Sequence, residues 1–271
     1  YSFTVAAVNA QGSSAPSSAI ISTPLTVPDS PVIQSVVQSG SSAARFIESN
    51  GLVLQYDVNT AYSGSGTTLV DARGNSNATI VNSPSFTASG GGYLNMSSAS
   101  SQYIITTTSL NPQFISKTNP STTSIFMWVY PTAANGILIS EFGGPSISSG
   151  WHDSQIEMVN GTMRFRVWNG TNLASSIATP LNNWYYVGFV YDQASLTLKG
   201  YVNGSLAVTG TGYSRQTPWA NGGANLHFGI ASADSTNLGH GGYGNFRFGA
   251  LHVYNTALTQ AQIQQNYDAG C

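Results

Sequence analysis

Charge is what this chain has least of. Of its 271 residues only eight are Lys or Arg and ten are Asp or Glu, 7% in all, for a formal net charge of -2. Soluble domains usually carry about a quarter of their residues as charges. Ser, Thr, Asn and Gly take their place, so the surface is neutral and rich in hydroxyls and amides. Such a surface has no basic footprint for nucleic acid or for an anionic membrane. Cysteine is nearly absent too: Cys271 is the single one, which excludes an intrachain disulfide and leaves a free terminal thiol or an intermolecular link. A domain of this size folds without bridges, so their absence does not point to the cytosol. Long apolar runs are missing as well. The longest are of strand length, so neither membrane insertion nor a signal peptide is expected.

Acid pairs and nucleophile sets are equally scarce. The three glutamates are Glu48, Glu141 and Glu157. Glycoside hydrolysis needs two carboxylates held a fixed distance apart, one as acid and one as base or nucleophile. Asp153 and Glu157 are four apart, which in a strand would put them on one face, but Ser-Gln-Ile between them gives no sign of a tuned pair. They read as a loop acid and a surface acid. Four scattered His residues and one Cys form neither a triad nor a zinc spacing. No enzyme is expected here.

What is present is strand pattern. The chain is organised around 184–204, where two apolar runs, Trp184–Tyr191 and Leu196–Val202, flank the four-residue connection Asp-Gln-Ala-Ser. In the second run Leu196, Leu198 and Val202 share one face, opposite Thr197 and Lys199. The first run is apolar on both faces, as a central strand covered on both sides must be. Asn203-Gly204 supplies a second tight turn. Further strands are predicted at 92–96, 102–106, 124–130, 136–141, 155–159, 163–168, 226–230 and 246–254, separated by Gly, Asn, Ser and Pro. Thr259-Gln-Ala-Gln262 is a capping box, Ile263 and Tyr267 share a helix face, and Gly270 suits a C-terminal cap. The fold class is therefore an all-β, two-sheet antiparallel sandwich with one short C-terminal helix.

Two stretches carry family resemblances. Trp184-x-x-Val187-x-Phe189-x-Tyr191-Asp192, followed by Leu198-x-Gly200-Tyr201-Val202-Asn203-Gly204-Ser205-Leu206, resembles the central hairpin of laminin G-like, concanavalin A-like jelly rolls. The run from Gly51 to Phe86, with its Ser-Gly-Ser-Gly-Thr-Thr turn and Asp71-x-x-Gly-Asn75 loop, is similar to the opening of a subgroup found in phage, algal-virus and bacterial surface proteins. The ending Phe248 to Gly270 resembles that family's last strand and helix. The resemblance spans 49–271. Residues 1–25 instead resemble the last two strands of a fibronectin type III domain, in the pattern Tyr1-x-Phe3-x-Val5-x-Ala7-x-Asn9-x-x-Gly12-x-Ser14. The expectation is a hairpin remnant of such a domain, with further modules upstream of Tyr1. Residues 26–48, with Pro28, Pro31 and a Ser/Gly half, read as a linker. Pro28–Ile33 also offers a first strand of another sandwich.

Two candidate sites follow. Asp71 and Asn75, with Asn77, place oxygens at alternate positions in a Gly-containing loop, which suits calcium. The family resemblance implies such a site nearby, although the segment 98–103 lacks the Asp residues that usually strengthen it. The alternative is that Asp71 caps the turn through backbone N–H groups. Glycan recognition pairs an aromatic platform with polar groups on loops. Trp151, His152 and Asp153 form one such set, Arg215 and Trp219 a second, His240 and Tyr243 a third; packing of these loops onto the sandwich is the alternative for Trp151 and Trp219. Trp128 and Trp184 are placed in the core, and Trp168 at a strand end. Five glycosylation sequons, at Asn77, Asn95, Asn160, Asn169 and Asn203, tilt the setting toward an extracellular, cell-surface or virion-surface protein. The reading is a non-catalytic carbohydrate-binding module for adhesion or host attachment. Its partners would be surface glycans or glycoproteins and the upstream domains of the same chain. Its rivals are a structural virion or appendage component and an accessory module of a larger carbohydrate-active enzyme.

Overall fold

The structure, a computed structural model, describes residues 2–3, 8–9, 12–15, 17–18, 20–21, 46–114, 122–147, 152–167, 173–213, 225–232 and 243–270. For the strands before residue 22 and for 152–155 the description is of the backbone alone. The chain divides into two compact units, Tyr1–Ala44 and Arg45–Cys271. In the first, the short strands are β1 (Ser2–Phe3), β2 (Val8–Asn9), β3 (Gly12–Ser13) and β4 (Ile20–Ile21). β1 pairs with β4 and β2 with β3, both antiparallel.

The second unit runs β5 (Leu52–Asp57), a one-turn helix α1 (Val58–Ala61), β6 (Thr68–Leu69), β7 (Ala78–Val81), β8 (Ser85–Thr87), β9 (Tyr93–Met96), β10 (Tyr103–Thr106), β11 (Thr123–Pro131) and β12 (Gly136–Phe142). It continues with β13 (His152–Val159), β14 (Thr162–Arg166), β15 (Leu173–Ala174), β16 (Tyr185–Asp192), β17 (Thr197–Val202), β18 (Ser205–Thr211), β19 (His227–Ile230), β20 (Phe246–Tyr254) and α2 (Gln260–Ala269). These strands form two antiparallel sheets. The first has the order β15-β14-β13-β12-β19-β10-β7-β6, the second β18-β17-β16-β11-β20-β9-β8. β5 joins the second sheet along the C-terminal half of β20, while β9 takes its N-terminal half. This is the all-β jelly-roll sandwich that the strand pattern predicts.

The period-two alternation of the strands builds the core. Along β16, Tyr185, Val187, Phe189 and Tyr191 point between the sheets, while Tyr186 and Val190 belong to a second cluster on the outer face. That second cluster is roofed by Leu258 and by Ile263 and Tyr267 of α2, with Tyr267 stacked on Trp128 at 5.7 Å. A strand buried on both sides must be apolar on both sides, which is why the first run of the organising hairpin shows no polar face. Across the core, Gly200 of β17 lies directly under the Phe165 ring of the other sheet, and any larger side chain there would collide with it.

Two positions depart from expectation. Leu196 is not a strand residue: it closes the 192–196 turn in the left-handed region at φ 49°, and β17 begins at Thr197. Trp184 is not in the core. It is half-buried on the outer face of the second sheet, where Gly249, an extra residue between Phe248 and Ala250 in the pairing with β11, leaves room for its ring. Trp128 is buried as expected, in the cluster beneath α2.

Candidate functional site

The loop after β6 is organised by one carboxylate. Asp71 is buried, and its Oδ1 accepts N–H bonds from Gln55 and Arg73, both at 2.9 Å. Its Oδ2 accepts from Asn75 at 2.7 Å and Ser76 at 3.0 Å. Asn77 Oδ1 in turn accepts the N–H of Asp71. The Asn75 side chain donates to the Val53 carbonyl and accepts from Gln113. Four N–H groups thus converge on the two oxygens of this carboxylate. Of the two readings of this loop, the geometry displays the turn-capping one. Among the described residues no three His, Cys, Asp or Glu side chains group closely enough to hold a metal.

The acidic residues of the first sheet correct the sequence reading. Glu157 is not a surface acid: it and Glu141 are both fully buried. Register places Glu157 opposite Arg164 and Ile137, alternating with core residues Ile156 and Met158, so it points away from the inter-sheet core. Glu141 stands opposite Phe228, a core residue, and points inward. Directly opposed strand residues share a face, so the two carboxyls leave their sheet on opposite sides. Asp153 and His152 are not loop residues either. The β12–β13 ladder runs on to the pairing of Phe142 with His152, so both sit on β13. Trp151, Arg215, Trp219 and His240 lie outside the described residues, as does Trp168.

Tyr243 is the one loop candidate whose side chain is described. It is half-buried and stacks on Tyr103 of β10, centroids 6.1 Å apart and planes at 27°. Tyr103 neighbours the core residue Ile104, so the pair stands on the outer face of the first sheet. Burial, and then the nearby Tyr243, push the Tyr103 phenol above its ordinary range. Segment 243–245 is pinned beside it: Asn245 Oδ1 accepts from the Ser98 N–H at 2.9 Å, and Asn245 Nδ2 donates to Ser98 Oγ at 2.7 Å. The result is a half-exposed stacked pair of tyrosine rings beside a segment pinned by the Asn245–Ser98 bonds.

A laminin G family model, described as concanavalin A-like lectin/glucanases superfamily, matches residues 98–264, more than half of the chain. The chain belongs to this family. No curated protein sequence matches the concanavalin A-like chain. Among solved structures it resembles Trypanosoma rangeli sialidase in complex with 2,3-difluorosialic acid, at 15% identity and TM-score 0.59, over 88% of this chain and 35% of the sialidase. It also resembles domain 4 of AbnA, a GH43 extracellular arabinanase from Geobacillus stearothermophilus, in complex with arabinotriose: 17% identity, TM-score 0.57, 81% of this chain and 100% of that domain. A third is the binding domain of botulinum neurotoxin DC in complex with SialylT, at 14% identity and TM-score 0.57, over 81% of this chain and 51% of that one. At such identities the likeness is one of fold. The chain spans about a third of the sialidase's length.

The family match begins only at Ser98, yet the concanavalin A-like sandwich takes in more. β5 pairs with β20 and β7 with β10, so the sheets include residues well before the matched segment. Tyr103 was not among the sequence candidates. In the sequence it is one aromatic of a short strand, Tyr103-Ile-Ile-Thr106, and nothing nearby marks it as half of a ring pair whose other ring comes from residue 243. Among the described residues no helix is long and apolar enough to cross a membrane.

Proposed function

We propose that this lectin-fold domain is a non-catalytic glycan-binding module of an extracellular protein, displayed on a cell or virion surface and used in adhesion or host attachment. The observation that carries the reading is the half-exposed Tyr103–Tyr243 pair. A tyrosine ring offers a flat apolar face to the C–H face of a sugar and a hydroxyl to its oxygens. A neutral surface rich in Ser, Thr and Asn suits a neutral, hydroxylated partner. The non-catalytic part of the reading is supported by Glu141 and Glu157 leaving their sheet on opposite faces, since acid and nucleophile must flank one bond. The upstream partner would be the fibronectin type III-like module that residues 1–25 resemble.

The accessory-module reading has its own support. The matched sandwich covers the whole of an arabinanase's fourth domain, so this fold does serve as an appendage to a hydrolase. In either setting the domain binds and the chemistry lies elsewhere. A glycan array on the whole chain tests this, followed by Tyr243→Ala and Tyr103→Ala. Each substitution is expected to weaken the best ligand by about tenfold or more, the loss of one stacking contact with its desolvation, with little change in melting temperature. An array with no bound glycan, or binding indifferent to both tyrosines, overturns the reading. Release of reducing ends from a polysaccharide panel, abolished by Glu157→Gln, would overturn the non-catalytic part.

A further inference from the structure

Among the described residues, α2 covers only part of the outer face of the second sheet. Under α2 it carries Phe126, Trp128, Tyr186, Tyr201 and Tyr254. Beyond Trp128 the same face continues with Tyr130 on β11, Tyr93 on β9 and Trp184 at the start of β16, all half-buried and roofed by no element among the described residues. Arg247 of β20 stands between them. Register sets it directly opposite Tyr130 on one side and Asn95 on the other. Its guanidinium carbon lies 4.3 Å from the centroid of Tyr130 and 5.0 Å from that of Tyr93. Trp184 meets both tyrosines edge to face, at 5.8 Å from Tyr93 and 5.6 Å from Tyr130, seated over Gly249.

This arrangement is more than incidental packing. A guanidinium held against ring faces keeps its in-plane N–H groups as donors, because cation–π contact uses its planes and hydrogen bonding its edges. Rings on both sides lower the local dielectric and fix the fork, so a bidentate carboxylate would lose little entropy on binding. Among the described residues no carboxylate is paired with Arg247, in a chain with only ten acidic residues. Three half-exposed aromatic rings around one cation leave apolar area in water that a sugar ring would cover.

We propose that Tyr93, Tyr130, Trp184 and Arg247 form a second ligand site, on the opposite sheet from Tyr103 and Tyr243, which takes a carboxylated sugar. Arg247 grips the carboxylate and the rings flank the pyranose. The site does not depend on the Tyr103–Tyr243 reading. Its test is titration of the whole chain with sialyllactose, trigalacturonate and neutral lactose, followed by NMR of the Trp184 indole N–H and by calorimetry. At least one acidic sugar is expected to shift the Trp184 signal and to bind about tenfold or more tighter than lactose. Arg247→Gln is expected to remove at least about tenfold of that affinity, as loss of a charge-assisted hydrogen bond does, without lowering the melting temperature enough to unfold the chain. Arg247→Lys keeps the charge and loses the fork, so it should restore only part of the affinity. If neither acidic sugar moves the Trp184 signal, or lactose binds as well, or Arg247→Gln binds unchanged, the proposal fails. If acidic binding is lost in Tyr243→Ala and kept in Arg247→Gln, the ligand sits on the first sheet, and this proposal fails while the lectin reading stands.

Discussion

At the scale of single residues, Asp71 is the clearest case of a side chain whose role the sequence leaves open and whose hydrogen bonds are those of a backbone clip. A carboxylate in a Gly- and Asn-rich loop serves equally well as a cation ligand or as a backbone clip, because both uses need only anionic oxygen. Here both oxygens accept two N–H bonds each, from Gln55, Arg73, Asn75 and Ser76. Gln55 belongs to β5, so the clip ties the loop to the second sheet. Asp71→Ala would strand four buried or part-buried donors. It is expected to cost on the order of 3 kcal/mol or more, read as a drop in chemical-denaturation midpoint at unchanged slope. Millimolar calcium is expected to leave the melting temperature of the unaltered chain where it is, since a ligand bound only to the native state would raise it. A calcium-dependent rise abolished by Asp71→Asn would make this loop a cation site after all.

At the scale of elements, α2 is where sequence and structure agree in detail. Thr259 and Gln262 close both halves of the capping box, and Gly270 ends the helix with positive φ. These signals are local: hydrogen bonds over three residues and one residue's conformational freedom are encoded where they act. What α2 packs on is not local. Asn266 is buried on the helix, donates to the Tyr254 hydroxyl at 2.9 Å and accepts the Glu48 N–H, and Tyr254 donates to the Glu48 carbonyl. Polar Asn266 gives no hint in sequence of facing inward. Asn266→Ala is expected to destabilise by about 1 to 3 kcal/mol, because it strands a buried N–H and a hydroxyl. In a double-mutant cycle with Tyr254→Phe the two losses should fall short of additive. Additivity would mean the two side chains do not share a network. The same reasoning explains Trp184 and Tyr103. Whether a strand aromatic is core or surface depends on which half of a face a distant helix covers, and on which loop returns to it.

At the scale of the whole molecule, few charges mean few titrations, and each one counts for more. The strand positions, the two-sided burial of β16 and the helix are legible in the sequence, because burial on one face alternates residues, burial on both leaves a continuous apolar run, and caps mark the helix ends. The aromatic cluster around Arg247 is not, since it arises where β9, β11 and β20 meet the residue before β16, from positions far apart in the chain. The same assembly buries His252 on β20, under α2 and 3.4 Å from the Tyr186 hydroxyl. Burial alone pushes this imidazole from its ordinary 6.5 down to about 4. His227 is pushed down as well, again mainly by burial. Between those two values the unfolded chain binds a proton that the folded chain excludes, so stability must fall as pH falls. The loss begins near pH 6.5, above the carboxylate range, and from His252 alone approaches about 1.4 kcal/mol per pH unit, on the order of 3 kcal/mol by pH 4. Glu48 and Asp192, whose hydrogen bonds lower their carboxyls, extend the decline in the same direction at lower pH. Denaturant unfolding measured across this range should show that slope, and His252→Gln should flatten it while leaving the decline below pH 4 in place. An unchanged slope in His252→Gln would mean that the imidazole is protonated in the folded state, and that the space beneath α2 admits a charge.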